Sequence, residues 1–178
     1  MTGSEAWRST LLSTQFLREH SRILAGDSNA YLFEILPGGG LTWGEQETRN
    51  LLADPGLRKV KNDGSPWTTV GRVKEQAGRV SMREESSIAQ QIPVSAGSPY
   101  LLSAFAACKD PGADAELRLR WVDGDGETIS TAAESVIPGS EGSEQFLWRR
   151  APDQSTSVSV ELASRGCEFD WAALYALP

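Results

Sequence analysis

From Asn50 to the C-terminus, glycine, proline and aspartate turns cut the chain into short segments, none long enough for a convincing helix. That punctuation is the strongest constraint on the fold, because short alternating strands are buried most simply between two packed antiparallel sheets. Leu117, Leu119 and Trp121 alternate with Arg118, Arg120 and Val122, and Asp123-Gly124-Asp125-Gly126 then supplies a hairpin turn. Val158, Val160 and Leu162 alternate with Ser157, Ser159 and Glu161, which makes one face dry and the other wet. Ile88 to Val94 and Tyr100 to Cys108 flank the turn Ser95-Ala96-Gly97-Ser98-Pro99, and Cys167 to Leu177 reads as a buried closing strand. The expected class is all-β, an antiparallel β-sandwich over residues 50–178.

The first 49 residues have a different texture. Trp7, Leu11, Leu12, Phe16 and Leu17 recur at helical spacing, with Arg18, Glu19 and Arg22 on the polar side. A turn at Gly26–Asn29 leads to a strand-like run from Tyr31 to Leu36. Residues 1–36 therefore read as a helix-strand lobe. Pro37-Gly38-Gly39-Gly40 opens a connector over 37–49.

Composition removes several function classes. Seventeen Lys and Arg stand against 24 Asp and Glu, a formal charge of −7, which is the wrong sign for a nucleic-acid footprint. One His and two distant Cys are too few soft ligands for a zinc site. The longest nearly apolar stretch, Tyr100 to Cys108, is far short of the ~20 residues that span a bilayer. The opening Met-Thr-Gly-Ser-Glu-Ala-Trp has neither a basic start nor an apolar run, so no signal peptide is expected. It reads equally as a natural start or as the start of a piece of a longer protein.

Catalysis finds little support. His20 lies on the polar side of the expected helix with no nucleophile near it in sequence. Asp123/Asp125 and Glu84/Glu85 are adjacent pairs, whereas glycoside hydrolysis needs two carboxyl groups held across a cleft. Asp123–Gly126 also lacks the further ligands of a calcium loop. Cys108 and Cys167 leave two readings open: one disulfide in an oxidising compartment, or two buried thiols.

Several motifs then carry a resemblance. Asn50-Leu51-Leu52-Ala53-Asp54-Pro55-Gly56-Leu57 looks like the opening strand of carbohydrate-binding modules of the family 4, 9, 16 and 22 type. Residues Gln90 to Ser103 are similar to their signature, a Gln-rich strand, a Gly turn and a Tyr-x-Leu-Ser strand. Trp121–Gly126, Ala151-Pro152 and Phe169-Asp170 follow in the family's order. The resemblance covers 50–178 and implies a galactose-binding-like jelly roll, non-catalytic, with a glycan or polysaccharide as partner. Residues 1–36 resemble, over a short motif from Arg18 to Ile35, the end of the extracytoplasmic region of bacterial lipid-carrier-dependent membrane glycosyltransferases. That implies an extracytoplasmic module, tied to a membrane only through a parent protein. The alternative is a structural or protein-contacting ectodomain with the same fold and no sugar affinity.

The family often holds a structural calcium where this chain has Arg58 and Asp170-Trp171. A guanidinium cannot ligate a hard cation, so the expectation is no calcium and no other cofactor, with Arg58 paired to Asp170 in its place. A pyranose offers a C–H face to flat rings and a rim of hydroxyls to planar polar groups. Trp67, Trp148, Arg118, Arg120 and Arg149 are the candidates for those contacts. For Trp67 and Trp148 the competing reading is packing, and Arg118 and Arg120 either line a groove or are simply solvated. Trp121 and Trp7 are expected in apolar packing, and Trp43 as a docking residue of the connector.

Overall fold

The computed structural model describes the backbone of 33–36, 40–43 and 46–48, and whole residues over 49–177 apart from 77, 111 and 136–139, with 136 as backbone alone. The expected helix around Trp7–Leu17 lies outside the described residues. Strand β1 (Phe33–Leu36) falls within the expected run, and β2 (Gly40–Trp43) and β3 (Gln46–Arg49) occupy the stretch expected as connector. The three pair in chain order as an antiparallel meander. Two short β-prone pieces containing Thr42, Trp43 and Thr48 thus pair where the glycine run alone pointed to an irregular linker.

The remaining strands are β4 (Thr68–Gln76), β5 (Arg79–Pro93), β6 (Pro99–Cys108), β7 (Asp114–Val122), β8 (Thr128–Val136), β9 (Ser143–Arg150), β10 (Ser157–Arg165) and β11 (Cys167–Ala176). They pair antiparallel in the order β8-β7-β10-β5-β11-β6-β9, with β4 on the other side of β5. Among the described residues there is no helix.

β5 belongs to both layers. Its second half, from Ser86 to Pro93, pairs with β10, whereas Val80 and Ser81 pair with β11. Between them Glu84 takes a left-handed φ of 61°, and β4 bulges opposite at Gly71. Ser86 Oγ holds this corner, accepting the Arg72 amide at 2.8 Å and donating to the Arg83 carbonyl at 2.6 Å. A Cβ on Gly71 would lie 2.6 Å from that oxygen, so the corner admits only glycine.

The first layer is β4-β5-β10-β7-β8, and the second is β5-β11-β6-β9. Leu117, Leu119 and Trp121 from one layer meet Tyr100, Leu102, Phe169 and Leu147 from the other, and the Tyr100 and Trp121 rings pack tilted at 56° with centroids 5.7 Å apart. The expected sandwich with buried Leu117–Trp121 and Val158–Leu162 faces is the observed one.

The opening motif from Asn50 lies along β11 without forming a strand of its own. Asn50 Oδ1 accepts the Leu52 and Leu174 amides, and the Leu51 amide donates to the Leu174 carbonyl. Gln90, buried on β5, accepts the Ala53 amide at 2.8 Å, and the Tyr100 hydroxyl accepts the Ser95 amide. The residues of the Gln and Tyr signature therefore serve the scaffold. Cys108 and Cys167 face each other across β6 and β11 and are disulfide-bonded, which closes the choice between bridge and thiols.

Candidate functional site

The outward face of the first layer is polar because the strict alternation of β7 and β10 leaves Glu116, Arg118, Arg120 and Glu161 pointing away from the core. Register places Glu161 directly opposite Arg118. Glu161 Oε1 accepts Arg118 Nη1 at 3.1 Å, and Oε2 accepts Arg120 Nη2 at 3.0 Å. Arg118 also donates from Nε to Glu116 at 2.7 Å. Only 8% of Glu161 is exposed, so its charge is desolvated and held in place by the two arginines. Burial opposes the Arg118 charge, but hydrogen bonds and charge from Glu116 and Glu161 outweigh it and raise the guanidinium pKa.

Beside this network lies a concavity of about 640 Å³. Ser87, Ala163 and Ser135 give it small side chains on three strands. Glu116, Arg118, Glu161 and the Asp114–Arg165 pair, 3.0 Å apart, line it with charge, and Val70 gives an exposed apolar rim. No aromatic ring lines it among the described residues. Fixed donors and acceptors over a floor of small side chains suit a hydroxyl-rich ligand. Both oxygens of Glu161 are engaged by cations and one of Glu116 is, which suits them to hold a ligand rather than to pass protons to it.

Of the five expected sugar-contacting residues, only Arg118 and Arg120 are brought together. Arg118 and Arg120 share this face and are joined through Glu161. Trp67 is 3% exposed in the core, its Nε1 donating to the Asp54 carbonyl at 3.2 Å, so it offers no face to a ligand. Of the two readings left open for it, packing is the observed one, with the ring under the Asn50–Leu57 segment. Trp148 is half-buried on the outer face of the second layer, in register with Leu101 and packed with Tyr175. Arg149 has the opposite parity on β9, that of Leu147 and Tyr100, and donates to the Trp148 carbonyl at 2.6 Å. Neither belongs to the groove.

The expected Arg58–Asp170 pair is not formed. Asp170 accepts Arg79 at both oxygens, at 2.6 and 3.0 Å, and Glu168 accepts Lys109 at 2.9 Å. Arg58 instead lies over Gly56 and Gly78. Arg79 opens β5 beside β11, so strand pairing delivers it to Asp170, a placement invisible without the register. These pairings raise the Arg79 pKa, chiefly through the Asp170 hydrogen bond. Among the described residues no cluster of three acidic, His or Cys side chains is arranged to hold a metal. Glu161, Glu116, Ser87 and Ser135, which also line the concavity, carry one sequence signal, the wet face of the β10 alternation.

The fold is similar to that of solved carbohydrate-binding modules. Solved structures similar to the chain include modules of families 4, 6, 16, 22 and 61. The CBM22-1–GH10 part of Clostridium thermocellum xylanase 10B, complexed with xylohexaose, is 15% identical with a TM-score of 0.50, over 64% of this chain and 26% of that one. The enzymatically active domain of tailspike protein 4 of bacteriophage CBA120 is 12% identical with a TM-score of 0.56, over 72% of this chain and 21% of that one. TmCBM61 in complex with β-1,4-galactotriose is 17% identical with a TM-score of 0.49, over 72% of this chain and 99% of that one. No protein-family model matches the chain, and no curated protein matches it in sequence. No helix among the described residues is long and apolar enough to cross a membrane.

Proposed function

We propose that residues 50–178 are a non-catalytic carbohydrate-binding module that takes its glycan in the groove over β5, β10, β7 and β8. The observation that carries the reading is the Arg118–Glu161–Arg120 network, which fixes planar donors and acceptors beside a hydroxyl-lined concavity. Prealigned groups of this kind bind without a large ordering cost. Without a ring in the groove, hydrogen bonds rather than stacking carry recognition. The disulfide supports a place outside the cytoplasm, where such bonds persist. The resemblance of residues 1–36 supports a parent membrane glycosyltransferase or cell-surface protein, and a membrane association only through that parent.

The test is a glycan-array screen across plant, bacterial and host glycans, followed by calorimetry on the hits. Wild type is expected to bind, and Arg118→Ala and Glu161→Gln are expected to abolish the heat while the chain stays folded by circular dichroism. Silence across the array, or binding that survives both substitutions, overturns the assignment. Silence would leave a structural or protein-contacting ectodomain, the reading to which the ring-free groove is also suited.

A further inference from the structure

The second layer carries apolar side chains on both faces, which a two-layer sandwich does not require. Of the residues on β6 and β11 that face away from the core, Leu101, Ser103, Ala173 and Tyr175 are each at most 2% exposed, and Phe105 and Trp171 beside them are half-buried. Trp148 and Trp171 pack with them. Strands buried on both faces read as near-continuous apolar runs, as Tyr100–Cys108 and Trp171–Leu177 do. A third layer is therefore required over this face.

Trp171 belongs to the face because of a bulge. Phe169 pairs with Ala106 and Trp171 with Phe105, so Asp170 is the extra residue and the following side chains change sides. Phe169 points into the core, and Trp171, which would follow it there in a regular strand, points out.

We infer that this outer face is the docking surface for the chain's own first 48 residues. The chain arrives at this place: Asn50 is clipped to Ala172 and Leu174 on β11, and β3, immediately before it, runs against the same strand. The arriving segment has matching chemistry, with Trp7, Leu11, Leu12, Phe16 and Leu17 at helical spacing, followed by the apolar run Tyr31–Leu36. Docking would occupy Trp148 and Trp171 and leave the groove on the opposite layer open.

The test uses the full chain with a specific protease site placed within Gly38–Gly40. After cleavage at a concentration where light scattering shows a monomer, the N-terminal piece is expected to co-elute with the sandwich. Trp148→Glu, and separately Trp171→Glu, is expected to weaken retention at least about tenfold while circular dichroism shows the sandwich intact. Loss of the piece from cleaved wild type, with the face unaltered, overturns the inference. So does retention unchanged in both variants, since pairing of β1 with β2 would then suffice. Hydroxyl-radical footprinting is the second readout, with oxidation of Trp148 and Trp171 expected to rise when the piece is released. If the two rings are equally protected after release, and protection follows concentration, a second copy covers the face and the inference fails.

Discussion

Removing the Cys108–Cys167 bridge should destabilise the module by about 4 kcal/mol. The bond joins residues 59 apart in sequence, and chain-entropy loss in the unfolded state sets that magnitude for a loop of this size. The native state should change little. Both cysteines are buried, directly opposed on β6 and β11, and the ladder on their side holds the strands without the bond. For a domain of this length, with roughly 2 cal/mol/K of unfolding entropy per residue, the loss corresponds to about 15 °C in Tm. Total stabilities of ~5–15 kcal/mol make that a large share. The assay is urea unfolding of oxidised wild type, reduced wild type and the double variant Cys108→Ala/Cys167→Ala. Reduction changes only the bond, so agreement between the last two separates cross-link from packing. A loss below ~1 kcal/mol with an unchanged m-value refutes the reasoning, because the reduced unfolded chain would then gain no freedom.

Three further outcomes are expected. Gly71→Ala should cost about 2 kcal/mol or more in denaturant unfolding, since a Cβ there meets Ser86 Oγ and the Glu85 carbonyl on a left-handed backbone at φ 79°; a neutral result would dissolve the corner argument. Burial pushes the Glu144 carboxyl from 4.5 up to about 7, only partly offset by the Ser103 hydroxyl, so the native state holds a proton that the unfolded chain has released. Stability should therefore fall by on the order of 3 kcal/mol as pH rises from about 4.5 to about 7, and Glu144→Gln should abolish that fall while changing little at pH 4. The same charge, after burial itself, contributes to holding the Tyr175 hydroxyl near 12. Calcium titration calorimetry should give no binding heat for wild type, and Arg79→Ala rather than Arg58→Ala should alter the Asp170 environment by NMR; tight calcium binding at Asp170 would overturn the proposal that a cation side chain replaces the metal.

The strands legible in the chain are those with one dry and one wet face. β7 and β10 bury the expected Leu117, Leu119, Trp121, Val158, Val160 and Leu162, and Val122 and Glu161, expected on the wet faces, are buried as well. β4 and β8 escaped notice because they lie at sheet edges and are mostly exposed, with little apolar period to read. Their strand character comes from pairing with β5 and β7. The cysteine pair was readable as a possibility, but only register decides that the two side chains meet. For Trp67 the sequence left sugar contact and packing both open, and the tertiary structure decides for packing.

By itself the sequence determined the class of fold, because alternation and turn chemistry act over a few residues and survive without tertiary context. It also determined that Arg118 and Arg120 share a face. Tertiary structure decided which groups join them, since Arg118 and Glu161 lie 43 residues apart and meet only when β7 pairs with β10 in one register. It likewise decided that Trp67 is core, that Arg79 takes Asp170, and that one extra residue at Asp170 turns Trp171 outward. A one-residue shift in pairing reverses every side chain beyond it, and local sequence does not encode that shift.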